Sequence, residues 1–166
     1  LAGAAQADLM RLDTGAYSFG NGGEFNATIL TGPVVGDSVS GTPYFETFCL
    51  EKSENFHPGN VYSFDIGTSA VGGGAGGSVN GADPLDSRTA YLYAAFIDGL
   101  LPGYDYTNSL GQRQAHGGAL QNAIWYLEEE VGTLDTPLAV AFFNFASAGA
   151  NLGLGDVRVM NLYTLN

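Results

Sequence analysis

The sequence predicts an α+β fold: a small antiparallel β-barrel or sandwich with an inserted helical layer of about three helices. Two observations predict it. Apolar residues alternate with polar ones through the first part of the chain and return in a closing strand at 156–165. Between about 84 and 148 the apolar spacing changes to three and four residues. Strands, then helices, then a strand is the order expected when helices segregate to one side of an antiparallel sheet.

Taken in order, residues 13–20 and 24–31 read as a hairpin around Gly20-Asn21-Gly22-Gly23, a turn rich in residues that tolerate positive φ. Residues 32–41 read as a loop or a short strand around Val34-Val35. A central strand is expected over 42–51, with Phe48 and Leu50 on one face and Cys49 with Thr47 and Glu51 on the other. His57-Pro58-Gly59-Asn60 is a turn, and 61–66 a further alternating strand. Residues 67–81 hold Gly72-Gly73-Gly74 and Gly76-Gly77 and read as a flexible loop; without a Lys-Ser/Thr ending they do not make a phosphate loop.

Residues 88–98 are apolar nearly all round, with Asp83 and Asp86 as capping candidates and Gly99 as the stop, so a buried helix is expected. The second helix, 112–130, carries Leu120, Ala123, Ile124 and Leu127 at helical spacing. Thr136-Pro137 is an N-cap followed by proline at the first helical position and opens a third helix to about Ser147. The domain is assigned to 13–166, with 1–12 as an N-terminal extended segment and possible strand donor. Ala5-Gln6-Ala7 has the small-residue pattern of a signal cleavage site.

The net charge of −12 disfavours nucleic acid and anionic membranes as partners. No stretch is long and apolar enough to span a bilayer, so no membrane insertion is expected. Charged residues make up only 13%, with Lys52 the single lysine, a composition closer to secreted surface proteins than to cytosolic enzymes. One cysteine excludes an internal disulfide and multi-cysteine zinc sites.

That cysteine, Cys49 in Phe48-Cys49-Leu50-Glu51, and Gln121 in Leu120-Gln121-Asn122-Ala123-Ile124-Trp125 carry the chemistry of interest. A thiol and a carboxamide that meet across a core can condense with loss of ammonia into an internal thioester, which is both a staple and a masked acyl electrophile. The bland alternatives are a small buried hydrophobe for Cys49 and a backbone-capping amide for Gln121. An aromatic-Cys-aliphatic-acid strand followed by an aliphatic-Gln-x-x-aliphatic-Trp helix resembles the two signature motifs of bacterial surface thioester domains. The wider chain, through Thr47–Glu51, Thr89–Tyr93, 120–130 and 157–163, is similar to secreted, exosortase-sorted PEP-CTERM proteins, although it has no Pro-Glu-Pro motif, apolar C-terminal helix or basic tail.

The resemblance implies a thioester between Cys49 and Gln121, with Phe48, Glu51, Trp125 and Tyr126 forming its pocket. Glu51 and His116 are candidate proton carriers, but His57 and His116 read first as residues of exposed turns, and neither histidine is assigned a role. Glu128-Glu129-Glu130 reads as a solvated acidic helix end before half of a cation site. Asp83, Asp86 and Asp105 are calcium candidates without EF-hand or repeat spacing, and Tyr91, Tyr93, Tyr104 and Tyr106 read as packing before sugar stacking. No metal, cofactor or catalytic residue is assigned, and the chain is not read as an enzyme.

The expected function is an extracellular, cell-surface structural protein, a homo-polymer built by terminal strand exchange and stapled by the thioester. The alternatives are an adhesin that captures a surface amine and a noncovalent module for a biofilm polysaccharide.

Overall fold

The computed structural model describes residues 7–33, 35–36, 43–72, 74–107 and 109–165. Its elements are β1 (Leu9–Phe19), β2 (Gly22–Thr31), β3 (Phe45–Thr47), β4 (Val61–Gly67), β5 (Ser69–Val71), β6 (Ala82–Pro84), α1 (Ser87–Ile97), α2 (Leu110–Leu127), α3 (Pro137–Ala146) and β7 (Val159–Thr164). The fold is α+β: a five-stranded antiparallel sheet in the order β3-β2-β1-β4-β7, a small sheet of β5 and β6, and three helices. The main sheet stays open, with β3 and β7 at its two edges, so the closed-barrel form of the expectation does not hold.

Local chemistry explains most boundaries. Phe19 pairs with Gly22, so the hairpin turn is only Gly20-Asn21, and Gly20 takes the positive φ such a turn requires. The Asp86 carboxylate accepts from Arg88 N–H and caps α1, and the Thr136 hydroxyl accepts from Ala139 N–H to cap α3, with Pro137 just inside. The expected central strand over 42–51 shrinks to the three residues of β3; Gly41 and Thr42 lie outside the described residues, as do Leu1–Gln6 and Val34.

Leu9-Met10-Arg11-Leu12, expected as an extended segment outside the hairpin, begins β1. Residues Leu9–Arg11 pair with β2 on one side and β4 on the other. Met10 and Leu12 are buried in the core, because their apolar faces are satisfied by the chain's own sheet. Donating these residues to a neighbour would mean opening the middle of the sheet.

The core has two main parts. Met10, Leu12, Phe25, Tyr62 and Phe64 pack on the sheet, while Leu92, Phe96, Leu120, Ile124 and Phe142 pack among the helices. The segment after β3 runs along the seam: Phe48 and Leu50 pack on the helical part and Cys49 on the sheet part. The alternation expected for a strand thus survives although the hydrogen-bonded strand ends at Thr47.

A buried ionic network, not anticipated from the sequence, joins α2 to the sheet. The Arg113 guanidinium donates to both oxygens of Glu24, at 2.7 and 2.6 Å, and lies 3.6 Å from Glu46. Tyr104 donates its hydroxyl to Glu24, and the Tyr17 ring covers the guanidinium at 4.1 Å. Glu24, Glu46 and Arg113 are all at most 1% exposed. Removing the cation would leave two carboxylates buried, so Arg113→Ala is expected to lower unfolding free energy by about 3–5 kcal/mol in urea titrations. Arg113→Lys should recover only part of this, because an ammonium cannot make both parallel bonds.

Candidate functional site

Glycine at the start of β2 makes room for the site. A Cβ on Gly22 would come within 3.0 Å of Gln121 Cγ and close to the Trp125 ring, so both side chains of α2 lie directly over this backbone. Gln121 is thereby buried and held with its carboxamide facing the segment that follows β3.

Since the strand pairing of β3 ends at Thr47, the backbone of Cys49 needs other partners. The Gln121 carboxamide supplies both. Its Oε1 accepts from Cys49 N–H at 3.0 Å, and its Nε2 donates to Cys49 O at 2.6 Å. The side chain therefore acts as a one-residue strand partner, and it brings the two residues singled out in the sequence into direct contact.

The Cys49 thiol donates to the carbonyl of Glu51 at 3.0 Å. Burial, reinforced by the negative charges of Glu54, Glu51 and Glu130, pushes its pKa up to about 12, so it stays protonated through the physiological range. Beside it opens a cavity of about 470 Å³, lined by Phe25, Phe48, Phe56, Tyr62, Met160 and Leu162 among others, between the β3 end of the sheet and β7.

The remaining pocket residues divide. Phe48 lines the cavity and packs edge-on against Phe96. Trp125 shares the space over Gly22 with Gln121, and the Lys52 ammonium lies 5.7 Å from its ring centre. Tyr126, expected as cover for the thioester, turns instead to α3 and packs edge-on against Phe143, because its place on α2 faces the helical layer. His116 lies on α2, half-buried and not in an exposed turn: its Nδ1 accepts from Asp105 N–H and its ring meets Tyr104, which makes it an anchor for the loop before α2. His57 is exposed, with its backbone N–H on the Tyr62 hydroxyl.

The acidic helix end is not solvated as expected. Glu128 and Glu130 are buried and only Glu129 is exposed, because the chain turns back at Glu129 with φ +62. Glu128 accepts from Asp86 N–H, and burial raises its pKa to about 7. Glu130 accepts from the backbone N–H groups of Lys52, Ala75 and Gly76. Glu51, also buried, lies with Asp83 and Glu130 in a cluster whose oxygens are within 4.8 Å of one another. Burial, with the nearby charges of Glu130, Asp83 and Glu54, raises the Glu51 carboxyl to about 7.

The sequence carried one signal for this cluster, acidic residues on either side of a glycine-rich loop, but nothing in it says that the loop folds back on them. Asp86 and Asp105 are engaged separately, with Arg88 and Thr107. Tyr91, Tyr104 and Tyr106 pack on aromatic rings and Tyr93 donates to Glu46 O, the packing role expected for all four.

Compared with protein-family models, curated proteins and solved structures, the chain matches none. The geometry of the Cys49 and Gln121 pair can be tested by overfilling it. Gly22→Ala is expected to displace the carboxamide and cost about 1–3 kcal/mol in urea unfolding. An unchanged unfolding midpoint would mean that Gln121 does not sit where these contacts put it.

Proposed function

We propose that the chain is an extracellular structural module in which Cys49 and Gln121 join in an internal thioester. The observation that carries this reading is the double hydrogen bond from one carboxamide to the backbone of the one cysteine. It restrains the acyl carbon beside the residue whose sulfur would attack it, and such restraint replaces most of the entropic cost of a bimolecular reaction.

The same two bonds suit the chemistry. Cys49 N–H, already on Gln121 Oε1, would stabilise negative charge on that oxygen in a tetrahedral intermediate. The thiol leaves the Glu51 carbonyl by turning about χ1, sulfur bonds to the Gln121 Cδ, the Cδ–Nε2 bond breaks, and the thiol proton ends on the nitrogen, which departs as ammonia. With a thiol held protonated, proximity has to supply what nucleophilicity does not. The product would tie the seam of sheet and helices by a covalent bond.

Assembly by strand addition is supported by the open edges at β3 and β7 and by the exposed apolar residues Tyr163 and Leu165 at the end of the chain. A second reading, an adhesin that transfers the acyl group to an amine, is favoured by the cavity beside Cys49, which offers a route in for a small nucleophile.

Intact mass tests the bond: the purified chain is expected about 17 Da below its sequence mass, the loss of ammonia, and Cys49→Ala at its own sequence mass. A full-mass chain with one alkylatable thiol after denaturation overturns the proposal. Methylamine added to the folded chain separates the two roles, since a staple stays inert and an adhesive thioester gains the mass of the amine. For assembly, deleting residues 1–6 leaves β1 whole. Loss of fibres in negative stain with unchanged melting would assign the donor strand to that segment. Identical fibres would move the donor to the 156–165 strand, and an undeleted chain that light scattering finds monomeric at high concentration would overturn assembly.

A further inference from the structure

Three carboxylates converge from three separate places: Glu51 after β3, Asp83 in β6 and Glu130 after α2. All three side chains are at least nine-tenths buried. Apart from the contact of Glu51 and Asp83 with each other, both oxygens of Glu51 and Oδ2 of Asp83 have no hydrogen-bond partner among the described residues. None of the ion pairs among those residues involves the cluster; the ammonium of neighbouring Lys52 lies over the Trp125 ring. Burying several carboxylates without neutralising them is among the costlier things a fold can do.

The glycine-rich segment shows that this space is shaped. A Cβ on Gly74 would lie inside 3.0 Å of both Glu51 Oε2 and Glu130 Oε1, so any side chain at 74 would fill the gap between the two carboxylates. Gly77 stands in the same relation to Asp83. Ala75 and Gly76 donate their backbone N–H groups to Glu130 Oε1 and Lys52 donates its own to Oε2, which orients that carboxylate beside Glu51 and Asp83.

We propose that Glu51, Asp83 and Glu130 hold a divalent cation, of the calcium class, against the glycine-rich loop. Hard, all-oxygen donors select calcium or magnesium over softer metals. Calcium bonds oxygen at about 2.3–2.6 Å, so ligands on opposite sides of it lie close to 5 Å apart, whereas magnesium draws its ligands to about 2.0–2.1 Å in a strict octahedron. The three oxygens, all within 4.8 Å of one another, can meet on one such ion, and donors that come from three separate elements suit calcium's flexible coordination better than a strict octahedron. Bound there, the cation would fasten the end of α2, the Cys49 segment and β6 to one another. The inference is independent of the thioester.

The full chain, freed of metal with a chelator, is titrated with calcium chloride by calorimetry and followed by thermal melting. Saturable heat and a melting temperature that rises with calcium are expected, with a weaker response to magnesium at equal concentration. The Glu51→Gln/Asp83→Asn double variant should melt, without calcium, no lower than the unaltered chain, since a repulsion has been removed, and should bind calcium at least ten-fold more weakly. No heat and no melting shift up to about 10 mM calcium, well above the affinity range of extracellular calcium modules, overturns the proposal. Equal binding by the double variant, or magnesium binding as tightly as calcium, also overturns it. Should the variant not fold, calorimetry on the unaltered chain still distinguishes binding from its absence.

Discussion

The grip of the Gln121 carboxamide on the backbone of Cys49 is the contact through which the two halves of the core are held in register. It forms where strand pairing has stopped, and it satisfies a donor and an acceptor that would otherwise be left at the edge of a buried seam. Phe48 and Leu50 are thereby directed into the helices and Cys49 into the sheet. Gly22 is the complement of this arrangement, since only a residue without a side chain lets α2 lie so close to β2.

Two sets of buried charge surround this seam and are handled in opposite ways. Around Arg113 one guanidinium meets two carboxylates, a tyrosine hydroxyl and an aromatic face, so the charges are paired and their hydrogen-bonding capacity is used. Around Glu51 three carboxylates meet one another, and only Glu130 is well provided with donors. The first set fastens the first turn of α2 to the sheet, and the second gathers the far end of α2 with the segment that carries Cys49. A chain with so few charged residues places several of them inside, where each has a large effect on stability or pKa.

The openness of the sheet follows from the brevity of β3 and the position of β7. With β3 only three residues long, the sheet cannot close on β7, and the cavity lined by Phe25, Phe48 and Met160 remains between them. An apolar hollow beside a sheet edge has the character of a surface that accepts an added strand.

By itself the sequence determined the class of fold and most of its elements, because those depend on local periodicity and on caps. The three helices lie within a few residues of their expected limits; Thr136-Pro137 and Gly99 act as the start and stop they resemble, β4 follows from alternation and β7 from a run with apolar residues on both faces. It also singled out Cys49 and Gln121, which lie in contact. Tertiary structure alone decided the rest. Whether Leu9–Leu12 is a free segment or a central strand depends on which neighbours are available for pairing, and nothing within those four residues records that. Whether Glu130 is solvated or buried depends on a glycine loop that folds back from some fifty residues earlier in the chain. Arg113 looks like an ordinary helix residue until Glu24 and Glu46 are brought to it from two strands. Long-range pairing of charges leaves no periodic trace in a sequence, because an ion pair needs two groups at one point in space and imposes no spacing along the chain.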